Sequence, residues 1–160
     1  MPSQKTLISY HSVKPGEEAG VIDLVSKVFN EFVAPLYSQE GVSEFMKYAY
    51  VDELAERIKA GNFVLSAKSG NDIIGVIEVR GNNHIALLFV KKSHQRKGIG
   101  KELLKRAIET CKTQNPDTHR ITVNSSPNAV AAYQKMGFNA IEQEQVVNGI
   151  RFVPMELLLV

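Results

Sequence analysis

The stretch Leu88-Phe89-Val90-Lys91-Lys92-Ser93-His94-Gln95-Arg96-Lys97-Gly98-Ile99-Gly100-Lys101 decides how this chain folds. The apolar run that ends at Val90 reads as a buried strand. After it, Ile99, Leu103, Leu104, Ala107, Ile108 and Cys111 recur at helical spacing and predict a helix over 99–113. Gly98-Ile99-Gly100 therefore sits where a strand turns into a helix. The first turn of a helix has unpaired N–H groups and a positive end. Glycines let a ligand approach that backbone without Cβ obstruction. The combination predicts an anion cradle suited to phosphates.

Charge agrees with that reading. From Lys91 to Arg106 there are seven Lys and Arg residues against Glu102 alone, although the whole chain carries only +2. The remaining residues hold 12 basic and 16 acidic side chains, so positive charge is concentrated at the loop. Two familiar phosphate loops are excluded. A Walker A loop requires glycine at position 95 and Ser or Thr at 102, which are Gln95 and Glu102. A dinucleotide fingerprint requires a third glycine at 103, which is Leu103.

Outward from the loop, residues 62–68, 72–80 and 84–90 are β-rich, with turn residues Ser69-Gly70-Asn71-Asp72 and Gly81-Asn82-Asn83 between them. They predict an antiparallel meander. Upstream lie a short strand at 6–13, a helix over 17–34 stopped by Pro35, and a helical stretch, whole or broken, over 43–60. Downstream lie a strand at 120–124 and a helix opened by Ser126-Pro127 and closed at Gly137. Two strands at 139–147 and 150–159 follow, flanking the hairpin signal Asn148-Gly149. The order β-α-α-β-β-β-α-β-α-β-β predicts an α/β (α+β) fold. Its mixed, mostly antiparallel sheet has about seven strands, flanked by about four helices.

The chain has 160 residues, 44% hydrophobic and 22% charged, values of one globular domain spanning 1–160. Its longest apolar run, Ile85–Val90, falls far short of the ~20 residues of a membrane span. Met1-Pro2-Ser3-Gln4-Lys5 has no apolar signal core, and a single cysteine fits a reducing compartment. These features predict a cytoplasmic protein. Four scattered histidines and one cysteine show no ligand spacing, so no metal is implied. Nucleic-acid binding would want aromatic platforms beside the charge, and only Phe89 is near.

Gln95-x-x-Gly98-x-Gly100 after Leu88-Phe89-Val90 resembles the acetyl-CoA pyrophosphate loop of the GCN5-related N-acetyltransferase (GNAT) family. Asn124, ending a strand, agrees with it. So does Asn128-Ala-Val-Ala-Ala-Tyr133-Gln-Lys-Met-Gly137-Phe138, which resembles the family's second cofactor-side motif. The specific likeness covers about residues 84–138.

The resemblance implies acetyl transfer from acetyl-CoA to a primary amine by direct attack in a ternary complex. The pyrophosphate would accept N–H bonds from Gln95, Arg96, Lys97, Gly98, Ile99, Gly100 and Lys101. Arg96 or Lys97 would pair with the 3′-phosphate. The pantetheine amides would lie along the edge of Leu88, Phe89 and Val90. Asn124 and Asn128 would meet the arm's polar groups. Tyr133 corresponds to the family's general acid, near the sulfur. The N–H groups around Leu88 and Phe89 are candidates to hold the developing oxyanion. For the base, His84, Glu78 and a water chain remain open. The early helices and their connection would form the amine pocket, with Glu31, Tyr37 and Glu40 facing a cationic small molecule or peptide. The resemblance also allows a homodimer. A CoA-binding module without catalysis is the alternative reading.

Overall fold

In a computed structural model, residues 7–159 are described. The strand foreseen over 6–13 is β1 (Ile8–Ser12); its predicted first residue lies outside the described range. Next come α1 (Glu18–Phe32), a 3-10 turn at Ala34–Leu36, α2 (Gln39–Tyr48) and α3 (Val51–Lys59). The meander is β2 (Phe63–Ser69), β3 (Asp72–Arg80) and β4 (His84–Val90). Then follow α4 (Ile99–Gln114), β5 (Arg120–Ser125), α5 (Val130–Lys135), β6 (Asn139–Ala140), β7 (Gln145–Val147) and β8 (Ile150–Leu158).

The strands order as β1-β2-β3-β4-β5-β8-β6, with β7 paired to β8. Every pairing is antiparallel except β4 with β5. The α4 crossover between β4 and β5 imposes that parallel pair. Two apolar clusters cover the two faces of the sheet. Leu103, Leu104, Ala107 and Cys111 of α4 and Tyr133 of α5 pack on one face with Ile85, Ile121, Val123 and Met155. Val21, Leu24, Val25 and Val28 of α1 and Leu54 of α3 pack on the other, against Val64, Val76 and Leu87.

Three expectations are revised. The helical stretch of 43–60 takes the broken form, α2 and α3, but begins at Gln39, four residues earlier than expected. Ser38 lies in extended backbone and accepts the Gly41 N–H at 3.2 Å, a cap that starts α2 earlier than its apolar pattern does. The strand of 139–147 is broken into β6 and β7 by the irregular residues 141–144. Ser126 makes no side-chain cap; a 3-10 turn, Pro127–Ala129, precedes α5 instead. Asn148 (φ 52°) and Gly149 (φ 79°) do form the expected tight hairpin turn.

The functional geometry comes from one irregularity. Pairing of β3 with β4 runs Glu78↔Leu87 and then Val79↔Ile85, so Ala86 is an extra, bulged residue. A bulge bends its strand and sharpens its twist. β4 pairs with β5 only at His84↔Thr122 and Ile85↔Val123. From Ala86 to Val90 the two strands diverge, leaving a wedge-shaped gap open at their C-terminal ends.

Candidate active site

The loop that the sequence singled out stands at the mouth of this gap. Gly75 on β3 lets α4 come close: a Cβ there would lie 3.0 Å from Ile99 Cγ2 and 3.1 Å from Leu103 Cδ1. The N-terminus of α4 is thereby seated against the sheet. Gln95 turns its side chain back, and Nε2 donates to the Val90 carbonyl at 2.9 Å, closing the loop onto the end of β4. Arg96 (φ 62°) and Gly98 (φ 82°) both take left-handed backbone. Arg96 accepts a conformation rare for a side-chain-bearing residue, while Gly98 adopts it without steric cost.

Within the described residues the backbone N–H groups of Arg96 through Lys101 find no acceptor. The first bond of the helix runs from the Glu102 N–H to the Gly98 carbonyl, at 3.0 Å. Left-handed residues beside helical ones aim successive N–H groups into a common concavity, which binds anions. Arg96, Lys97 and Lys101 are exposed around it. This donor set fits a pyrophosphate.

Leu88, Phe89 and Val90 lie on the part of β4 that has no strand partner on its β5 side. Their backbone edge is free to pair with an amide-bearing chain. Asn124, exposed, is the penultimate residue of β5 on the opposite lip, and Asn128 is exposed on the 3-10 turn that follows. The ring of Tyr133 is buried, edge-on to Phe138 at 5.2 Å. Burial alone raises its pKa above that of an ordinary phenol, with no hydrogen bond contributing. No buried side-chain nitrogen or oxygen among the described residues lacks a partner, so the unpartnered Tyr133 hydroxyl must reach solvent.

Both candidate bases, Glu78 and His84, are hydrogen-bonded to protein side chains. Glu78 is fully buried on β3. Arg57 of α3 holds it from two nitrogens, Nε to Oε2 at 2.8 Å and Nη2 to Oε1 at 3.1 Å. Asn62 Nδ2 donates to Oε2 at 2.7 Å, and the Tyr48 hydroxyl donates to the same oxygen at 3.4 Å. Arg57 also stacks 3.5 Å over the Tyr48 ring. Both oxygens of this carboxylate are thus engaged by protein donors. Tyr48 is pushed up to about 12 by burial and then by the Glu78 charge. Composition and spacing carried no sign of this network, because its members come from three separate elements, α2, α3 and β3, and from the α3–β2 connection.

His84 stands at the closed end of the gap, where β4 and β5 are still paired. Its Nδ1 is 2.8 Å from Thr122 Oγ1. Burial, and then the nearby Arg80 charge, lowers its pKa to about 4. Such a ring is a weak proton acceptor. Cys111 is buried under α4, and burial raises its thiol to about 11, so it remains protonated and inert.

Of the three residues foreseen for the amine side, Glu31 and Tyr37 are engaged with protein groups. Glu31 pairs with Lys92 at 2.7 Å. Tyr37 donates to the Arg151 carbonyl at 3.2 Å. Glu40 is exposed in the first turn of α2. Phe29 stacks on Phe45 at 3.9 Å, and Phe45 lies 6.0 Å from Phe89 on the free stretch of β4. No helix among the described residues is long and apolar enough to cross a membrane.

A family model described as an acetyltransferase (GNAT) domain matches residues 33–159. An uncharacterized N-acetyltransferase from Bacillus subtilis (strain 168), YvbK, is 39% identical over 93 residues, 55% of this chain and 57% of the relative. The match thus spans little more than half of that protein. Among solved structures, the PaiA N-acetyltransferase from Thermoplasma acidophilum, in complex with coenzyme A, superposes with a TM-score of 0.76 at 21% identity. That alignment covers 95% of this chain and 99% of the other. An acetyltransferase of the GNAT family from Staphylococcus aureus Mu50 superposes with a TM-score of 0.73 at 19% identity, covering 96% and 100%. At these identities the superpositions establish the fold, and the family match runs through most of the chain, including the cradle, the gap and Tyr133. This chain belongs to the GNAT acetyltransferase family.

Proposed function

We propose that the protein is an acetyl-CoA-dependent N-acetyltransferase, a single domain that transfers an acetyl group to a primary amine. The observation that carries this reading is the run of acceptor-free N–H groups from Arg96 to Lys101, placed at the mouth of an unpaired β4 edge. One end suits a pyrophosphate and the other an amide-bearing arm, and coenzyme A joins the two. Arg96 and Lys97, exposed beside the loop, pair with its remaining phosphate. Acetyl-CoA supplies an activated thioester.

The chain's own groups then divide the work. The free backbone of Leu88, Phe89 and Val90 orients the arm, and Asn124 and Asn128 meet its polar groups from the other lip. N–H groups near the β4 bulge, around Leu88 and Phe89, stabilise negative charge on the carbonyl oxygen. Tyr133 donates a hydrogen bond to the departing sulfur. Thiols ionise near 8.5 and phenols near 10, and burial raises Tyr133 further, so complete proton transfer from it to a thiolate is uphill. Its role is therefore to hold the thiolate by a hydrogen bond, and the one proton that completes the free thiol comes from the attacking nitrogen or from solvent. With Glu78 locked by Arg57 and His84 pinned at the closed end, the amine loses its proton to water that leads out of the gap.

The direct test is release of free thiol from acetyl-CoA against polyamines, amino acids, aminoglycosides and peptides, with acetyl-CoA binding followed by calorimetry. Turnover with at least one amine supports the reading. Binding without turnover on any of them replaces it with a non-catalytic CoA module, and absence of binding removes both.

A further inference from the structure

Strand β4 changes face partway along. Ile85 belongs to the apolar cluster under α4, whereas Leu87, two residues on, belongs to the cluster under α1 and α3. A regular strand places residues i and i+2 on one face. The extra residue, Ala86, therefore exchanges the faces of everything after it. Phe89 follows Leu87 to the α1–α3 side, and Leu88 and Val90 turn toward α4. The free edge of β4 begins at this switch.

Glu78 is the β3 residue at the switch. It pairs with Leu87 on one side of the register shift, while Val79 pairs with Ile85 on the other. Its side chain is fully buried. Arg57 engages it with a planar fork, Nε to Oε2 and Nη2 to Oε1. The third nitrogen, Nη1, donates to the Tyr48 carbonyl at 2.6 Å, where α2 ends. Asn62, just before β2, adds its own bond to Oε2. Helices α2 and α3 thus hold one β3 residue through one guanidinium. A fork of two parallel bonds fixes direction as well as distance. A buried ion pair is a poor source of stability, since well-packed apolar side chains of similar volume do as well or better. What apolar side chains would not supply here is the fixed direction.

We propose that Arg57 and Glu78 are positioning residues for acetyl transfer. Their fork fixes β3 at Glu78, and so fixes the β4 bulge from which the N–H groups around Leu88 and the free edge extend. Neither side chain touches the reacting atoms. The proposal rests on the acetyltransferase reading above and adds the residues that hold its geometry.

The test compares the parent with Arg57→Lys and with the double variant Arg57→Met plus Glu78→Leu. The double variant removes both charges and strands neither, so its thermal unfolding is expected close to that of the parent. Thiol release from acetyl-CoA is measured with spermidine, lysine, kanamycin and a lysine-containing peptide, and acetyl-CoA affinity by calorimetry. In the double variant kcat is expected to fall by about 100-fold, the cost of a small misplacement at the reacting centre. Acetyl-CoA affinity should change far less, because the Arg96–Lys101 cradle makes no contact with this network. Arg57→Lys keeps the charge without the fork, and its kcat should lie between the two. Parent-like kcat in the double variant overturns the proposal. So does a loss of kcat matched by an equal loss of acetyl-CoA affinity, which is the outcome if the network only keeps the fold firm. If the double variant does not fold, Arg57→Lys decides by the same split between kcat and affinity. Failure of the broader reading is seen in the parent instead: it then releases no thiol with any of these amines, and both conclusions fall.

Discussion

At the residue scale, the phenol of Tyr133 and the carboxylate of Glu78 are both buried polar groups, yet they serve opposite ends. The Tyr133 hydroxyl has no hydrogen-bond partner among the described residues, whereas Glu78 has both oxygens engaged. Tyr133→Phe is expected to slow acyl transfer by about 10-fold to 10⁴-fold while coenzyme A affinity hardly changes, read by thiol release and calorimetry. Parent-like turnover would mean that another group holds the sulfur. Arg57→Ala strands Glu78 as a buried, uncompensated charge and should cost about 3–5 kcal/mol in urea unfolding. His84 has its own signature. Burial lowers its pKa from 6.5 to about 4, so between those values the unfolded chain binds a proton that the folded chain refuses. Stability from this ring is present above pH 6.5 and is lost as pH falls toward 4. His84→Gln should therefore flatten the acid side of a melting-temperature profile; an unchanged slope would assign the acid loss to other groups.

At the scale of elements, the loop from β4 to α4 carries the binding argument, and its two glycines are not equivalent. Gly98 has φ 82°, while a Cβ on Gly100 would meet only Val90 Cγ2, at an ordinary 3.8 Å. Gly98→Ala is expected to cost about 1–2 kcal/mol from left-handed backbone strain. It should also weaken coenzyme A binding, because relief of the strain re-aims the neighbouring N–H groups. Gly100→Ala should leave the melting temperature nearly unchanged. Calorimetry and thermal unfolding of the two variants side by side decide the matter, and equal losses would refute the distinction. The Ala86 bulge acts on the same element: it turns β4 away from β5 and creates the free edge.

Across the whole molecule, charge and stability are coupled to the ligand. The basic residues of 91–106 stand apart from a remainder in which acidic side chains outnumber basic ones. Affinity for acetyl-CoA should therefore fall as salt screens the phosphate contacts, with a Debye length of about 10 Å at 0.1 M. Acetyl-CoA at about 100 times its Kd should stabilise the fold by about 2.7 kcal/mol, visible as a rise in melting temperature. A melting point indifferent to acetyl-CoA would contradict the proposed cofactor.

Local sequence determined much of this protein. Apolar periodicity located α1, the β2–β4 meander and α4. Left-handed turn residues located the Asn148-Gly149 hairpin. The strand, glycines and cations of 85–101 located the cradle. These features depend on neighbours a few residues apart, where spacing and backbone preference act directly. Other features were decided only by tertiary structure. The candidate bases Glu78 and His84 meet Arg57 and Thr122, which lie 21 and 38 residues away in the chain. The bulge that opens the gap depends on the register between β3 and β4. The tie between the α1–α2 connection and β8 depends on Tyr37 meeting Arg151, 114 residues on. Burial and long-range pairing set the protonation and reach of a side chain, and neither is encoded in the residues beside it.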